Sequence, residues 1–183
     1  MFFNLFGKKE EKSGEGVFVD RVFIDAAGKW YAILQLAKQQ ADTVFIAWFA
    51  DTLKTAKELF AQNGIDEARV LDARHVFITM IENKQPVFLG HYPLHEKETA
   101  LISNWPHTKI PVYSSLDEAI FKHFGSEKMI PLIKMLGMKE DEPIEHSYVT
   151  QSITRGQQKI AALVTLEQSA SSQQEWMERN IKG

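Results

Sequence analysis

Cysteine is absent from the 183 residues, which excludes a disulfide framework, a thiolate zinc ribbon and a thiol nucleophile together, and accords with a reducing compartment. No apolar run reaches the roughly 18 residues that a bilayer-spanning helix needs. Charge of one sign is not in excess: 21 basic against 24 acidic residues leave a net charge of −3, which gives no general attraction to nucleic acid. Nowhere do glycines and a lysine combine as G-x-x-x-x-G-K-[ST], the loop whose backbone N–H groups and lysine cradle a terminal phosphate. What is there is 44% hydrophobic and 25% charged, ordinary globular usage at a length sufficient for one well-buried core. The expectation is a soluble, cytoplasmic protein of one main domain with appendages.

The chain opens on an apolar tip, Phe2, Phe3, Leu5 and Phe6, followed by Lys8, Lys9 and Lys12. The apolar stretch precedes the charges and is too short for a signal peptide. Residues 1–16 therefore read as a flexible tail, with peripheral membrane contact as the alternative, because aromatics beside lysines suit a headgroup boundary.

From Val17 onward strand and helix patterns alternate. Residues 17–24 are rich in β-branched and aromatic side chains, and Asp25 is placed to cap a helix whose Trp30, Ile33, Leu34 and Ala37 share a face. Residues 43–49, TVFIAWF, are nearly all apolar, as a strand covered on both faces must be, which indicates a parallel sheet between helices. Asp51 is placed to cap the next helix, with Leu53, Ala56, Leu59 and Phe60 inward and Gly64 at its end. Further short strands are expected at Val70 and Leu71, over 86–90 and over 110–113, while 75–81 fits strand and helix equally. Strands spaced by helices of this length imply βαβ units and a doubly wound α/β sheet.

The densest punctuation lies in residues 113–160. Ser115 and Glu118 have capping-box spacing. Ser126 is placed to cap a helix carrying Met129, Ile130, Ile133 and Leu136, which Gly137 ends. After a turn at Pro143, Ser147 is placed to cap a longer helix reaching residue 179, along which Ile153, Ile160 and Val164 fall on one stripe.

This run resembles the SecA preprotein translocase ATPase family, at the end of its second RecA-like motor domain and the start of its helical scaffold. The resemblance is carried by Tyr113, Ser115, Leu116, Asp117, Glu118 and Ala119 at a strand-to-helix junction, by Leu136, Gly137, Met138 and Lys139 at a helix end, and by Pro143, Ile144, Glu145 and His146 in a turn. Val149, Ile153, Gln157 and Lys159 continue it, and Lys29 to Ile65 correspond loosely to the preceding part of that motor domain. The resemblance implies a RecA-like α/β domain over 17–146, with a C-terminal helical extension over 147–183 and no counterpart of the first motor domain. It also locates a departure. Where the family writes an arginine-rich segment that completes its ATP site, residues 91–109 contain no arginine, and without delocalised positive charge on the phosphoryl oxygens the main reason to expect hydrolysis is gone.

Other chemistry is weaker on context. Asp66-Glu67-Ala68-Arg69 has the look of a helicase box, but Asn63, Gly64 and Ile65 before it are turn residues. His91 and His95 are four apart with Pro93 between them, so they share no helix face and read as locally bonded. Glu145 and His146 read as helix-capping residues. Trp48 and Trp105 read as core or interface. No catalytic, nucleotide-binding or metal-ligating residue is assigned, and no cofactor. The preferred reading is a SecA-type binding or regulatory module, linked to protein export and without ATPase motifs. It would meet a protein partner or a second copy through Ile153, Ile160 and Val164. The alternatives are half of a split ATPase, and a small-molecule enzyme using the crevice at the strand ends.

Overall fold

The computed structural model describes residues 16–181; the reading of the tail rests almost wholly on residues outside that range. Five strands, β1 (Phe18–Phe23), β2 (Thr43–Ala47), β3 (Val70–Asp72), β4 (Gln85–Phe88) and β5 (Ile110–Ser115), form one all-parallel sheet in the order β1-β5-β4-β2-β3. The helices are α1 (Ala26–Gln39), α2 (Ala50–Gln62), α3 (Ile78–Ile81), α4 (His95–Ile102), α5 (Ala119–His123), α6 (Ile130–Met135), α7 (Ser147–Leu163) and α8 (Gln173–Asn180).

The apolar run at 43–49 lies where its composition demands. All five residues of β2 are buried, and Phe45 sits between Val70 of β3 and Val87 of β4. One face of the sheet packs Phe23, Phe45 and Val87 against Ile33 and Ala37 of α1 and Ala56 and Phe60 of α2. The other packs Phe18, Ile46, Phe88 and Val112 against Ile102 of α4. β2 and β4 are thus interior strands covered on both sides, as a parallel sheet with near-continuous apolar runs requires.

Local signals fare unevenly. Asp25 caps α1 by accepting from the Gly28 N–H at 3.0 Å, and Gly64 follows α2 with φ +67°. The far end of α1 is held by Arg69, whose guanidinium donates to the carbonyls of Ala37, Gln40 and Thr43 at 2.6–2.9 Å. Asp66 accepts from the Ala68 N–H in a single 3-10 turn, so the acidic tetrad is turn chemistry. Asp51, by contrast, is not the cap of α2. Phe49 holds that position and Asp51 lies in the first turn. Residues 75–81 resolve into a 3-10 turn and the short α3. The long C-terminal helix is two: α7 ends at Leu163, and α8 returns after an irregular link to pack beside α5. Ser147 does not cap α7; His146 does, its Nδ1 accepting from the Tyr148 N–H at 3.2 Å.

Candidate functional site

In a doubly wound sheet the natural ligand crevice opens beyond the carboxyl ends of the strands. Here a cavity of about 310 Å³ lies there, bordered by Lys29, Trp48, Gly90, Asp117, Glu118 and Gln173 among others. The sequence builds it from the first βα turn. β1 runs into α1 at Asp25, and a helix beginning at a strand end offers unpaired N–H groups and a partial positive charge to an anion. This anion site is already filled. Asp25 accepts from the Gly28 N–H, and Asp117, from the β5–α5 turn, accepts from the Ala26 N–H at 3.0 Å.

One turn into α1, Lys29 points inward on the stripe shared with Ile33 and Ala37, and is 4% exposed. Its Nζ lies 2.6 Å from Glu118 Oε1 and donates to the Leu89 carbonyl at 3.2 Å. Glu118 also accepts from the Ser115 N–H at 3.1 Å. That is one half of the expected capping box; the Ser115 hydroxyl does not return the bond to the Glu118 N–H, and the helix starts after Glu118. Gly90, at φ +114°, passes this pair so closely that a Cβ would sit 3.2 Å from the Glu118 carboxylate. One side of the crevice is bordered by α8, where Gln173 donates to the His91 carbonyl and accepts from the Ile120 N–H.

Behind the crevice is a feature that sequence reasoning missed. His91 is 3% exposed, with Nε2 2.5 Å from Asp20 of β1 and Nδ1 2.9 Å from Glu98 of α4. Glu98 also accepts from the Tyr92 N–H and, at 2.8 Å, from Gln157 of α7, whose amide donates in addition to the Tyr92 carbonyl. Burial by itself disfavours an imidazolium. The charges of Glu98 and Asp20 and their hydrogen bonds outweigh it, so the His91 pKa is raised well above its ordinary value. Burial likewise opposes ionisation of Glu98, yet the His91 charge and the bonds from His91, His95 and Gln157 bring its carboxyl down to about 2. A His91 protonated in this way donates from both ring nitrogens and offers no lone pair to a metal. The signal was present in β1: Asp20 alternates with Phe18 and Val22, so a carboxylate stands on a buried strand face and must find a partner.

Of the residues carrying the resemblance, Gln157 belongs to this network, and the turn at 143–146 lies along β1. Ile144 makes an antiparallel bridge to the outer edge of β1, through bonds of 2.8 and 3.3 Å with Val22. Glu145 pairs with Arg21 at 3.0 Å, and the His146 ring stacks on Tyr148 at 5.0 Å. Gly137, at φ +87°, ends α6, while Leu136 is 77% exposed and Met138 half-buried. The turn is a staple: it covers part of an edge strand and sets the angle at which α7 leaves. The stripe expected to meet a partner lies elsewhere than anticipated. Ile160 is fully buried against Phe49, Leu94 and Trp176, Ile153 packs on Val22 and Leu116, and Val164 is half-buried beside the first group. These three side chains are taken up by the chain's own core, because α7 lies back across the sheet's end.

No protein-family model matches the chain. Local similarity does exist to the protein translocase subunit SecA. The identity is 48% over 48 residues with that of Acidithiobacillus ferrooxidans, covering 26% of this chain and 5% of the relative. It is 40% over 50 residues with that of Syntrophobacter fumaroxidans and 42% over 50 residues with that of Methylococcus capsulatus, each covering 27% of this chain and 6% of the relative. The chain thus carries a SecA-related segment, its fold is an all-parallel α/β sheet with flanking helices, and the matched stretch spans about a twentieth of those relatives' length. No helix among the described residues is long and apolar enough to cross a membrane.

Proposed function

We propose that this protein is a non-hydrolysing binding module on the framework of the second SecA motor domain, acting in connection with protein export. The SecA-like segment supports the connection. The observation that carries the reading is the self-filled anion site: Asp25 and Asp117 occupy the N-terminus of α1, and Lys29 is neutralised by Glu118. Three carboxylates, Asp51, Asp117 and Glu118, face the crevice against one lysine. A polyphosphate placed there would meet like charge, and a single such pair at 4 Å costs roughly 4 kcal/mol at an effective dielectric of 20. The helix N-terminus returns only about 0.3–1 kcal/mol for an anion, so repulsion prevails.

Calorimetric titration with Mg-ATP is therefore expected to give no saturable heat up to millimolar nucleotide, and steady-state assays no hydrolysis above buffer. A micromolar dissociation constant would overturn the reading and favour a split ATPase completed by another chain. Capture experiments with and without ATP then address the export connection, with nucleotide-independent recovery of export components as the expected result.

A further inference from the structure

A second concavity lies away from the strand-end crevice. A groove of about 530 Å³ lies between α5, α6 and α7, floored by Val22, Leu116, Ile133 and Ile153 and edged by Met129 and Tyr148. That volume is in the range of ligand-binding pockets. Its lip is apolar and uncovered: Met129 is 53% exposed, Tyr148 71% and Phe124 45%. Phe124 forms one end by resting on α7 at Gly156, where a Cβ would lie 2.9 Å from the ring. Along α7 the lining runs from Tyr148 to Lys159, a length of about 16 Å at 1.5 Å per residue.

The charge of the groove is one-sided. Its only charged lining residues are Arg155 and Lys159, one turn apart on α7 and exposed. α7 carries no carboxylate, and neither cation has an ion-pair or hydrogen-bond partner among the described residues. An apolar trough about three turns long with two unpaired cations along one wall complements one kind of surface: an amphipathic helix whose apolar stripe is flanked by carboxylates. Exposed methionine suits such a site, because its unbranched side chain repacks around different apolar anchors.

We propose that this groove docks an acidic amphipathic helix of a partner protein. The inference rests on the reading of the chain as a binding module and names the chemistry of what it binds.

The test uses the full chain and two dye-labelled helical peptides of about 15 residues. Both carry leucines at i, i+3, i+4 and i+7; one has glutamates flanking the stripe, the other lysines. Fluorescence anisotropy is expected to show saturable binding of the acidic peptide and at least tenfold weaker binding of the basic one. In the double variant Arg155→Glu, Lys159→Glu the preference should invert, and the recovered binding of the basic peptide shows at the same time that the variant is folded. Met129→Glu should weaken the acidic peptide about tenfold while leaving the thermal melt unchanged. Equal binding of both peptides, or no inversion on charge reversal, overturns the proposal. So does the absence of saturable binding to either peptide, and so does a sedimenting dimer that dissociates on Met129→Glu, since a second copy would then fill the groove. An ATP-binding result would reverse the functional reading and leave these outcomes unaffected.

Discussion

Replacing His91 by alanine is expected to destabilise the protein by about 3–5 kcal/mol, because it strands Asp20 and Glu98 as adjacent buried carboxylates without their cation. The network joins β1, α4, α7 and the loop after β4, so its loss is felt on both sides of the sheet edge. Its pH dependence has two limbs of opposite sign. His91 has a folded pKa raised above the ordinary value of 6.5, so its contribution is complete below that value and is lost as pH rises through the folded pKa. Glu98 has a folded pKa lowered from 4.5 to about 2, so its contribution is complete above 4.5 and is lost as pH falls toward 2. Stability from this network should therefore be greatest between about pH 4.5 and 6.5. Urea midpoints measured across pH 3 to 9 check both limbs. Glu98→Gln keeps an acceptor beside His91 but cannot ionise, and should flatten the acid limb. A His91→Ala midpoint equal to wild type, or a flat profile for wild type, would show that the pair is not ionised in the native state.

The distribution of what could be read from the sequence follows the range of the interactions. Asp25 caps a helix three residues away, Gly64 ends one beside it, and residues 43–49 announce their burial by composition alone. Each is local or compositional, and each was legible. The network around His91 spans 71 residues to Asp20 and 59 from Gln157 to Glu98. No periodicity announces such pairings, although two charged residues on buried stripes, Asp20 and Lys29, mark where partners must exist. The SecA-like letters identified a strand, a turn and a helix start, but the covering of Ile160 and Val164 depended on α8. The link after Leu163 lets the chain fold back, and a partly traced apolar stripe gives no indication of that reversal.

Trp176→Ala is expected to cost about 3–5 kcal/mol, the range for deleting a fully buried large aromatic side chain. The indole fills the space between Phe49 at the end of β2, Leu94 before α4, Ile120 of α5 and Ile160 of α7. Its Nε1–H donates to Glu167 at 3.1 Å, a carboxylate that also accepts from the Tyr92 hydroxyl and pairs with Lys97 at 3.2 Å. Backbone bonds extend the attachment: the Asp51 N–H donates to the Ser171 carbonyl, and the Asn180 side chain bonds the backbone of Gln168. An appendage would be removable without effect on the sheet; a helix so attached supports both α7 and the strand ends. At roughly 2–4 °C per kcal/mol for a chain of this size, the single cooperative melt should fall by roughly 6–20 °C. Ile160→Asp, which places a carboxylate at a fully buried position in the same cluster, should abolish it. Leu166→Ala, at a site 80% exposed, should change stability by no more than about 0.5 kcal/mol. If Trp176→Ala melts like Leu166→Ala, α8 is energetically separate from the sheet.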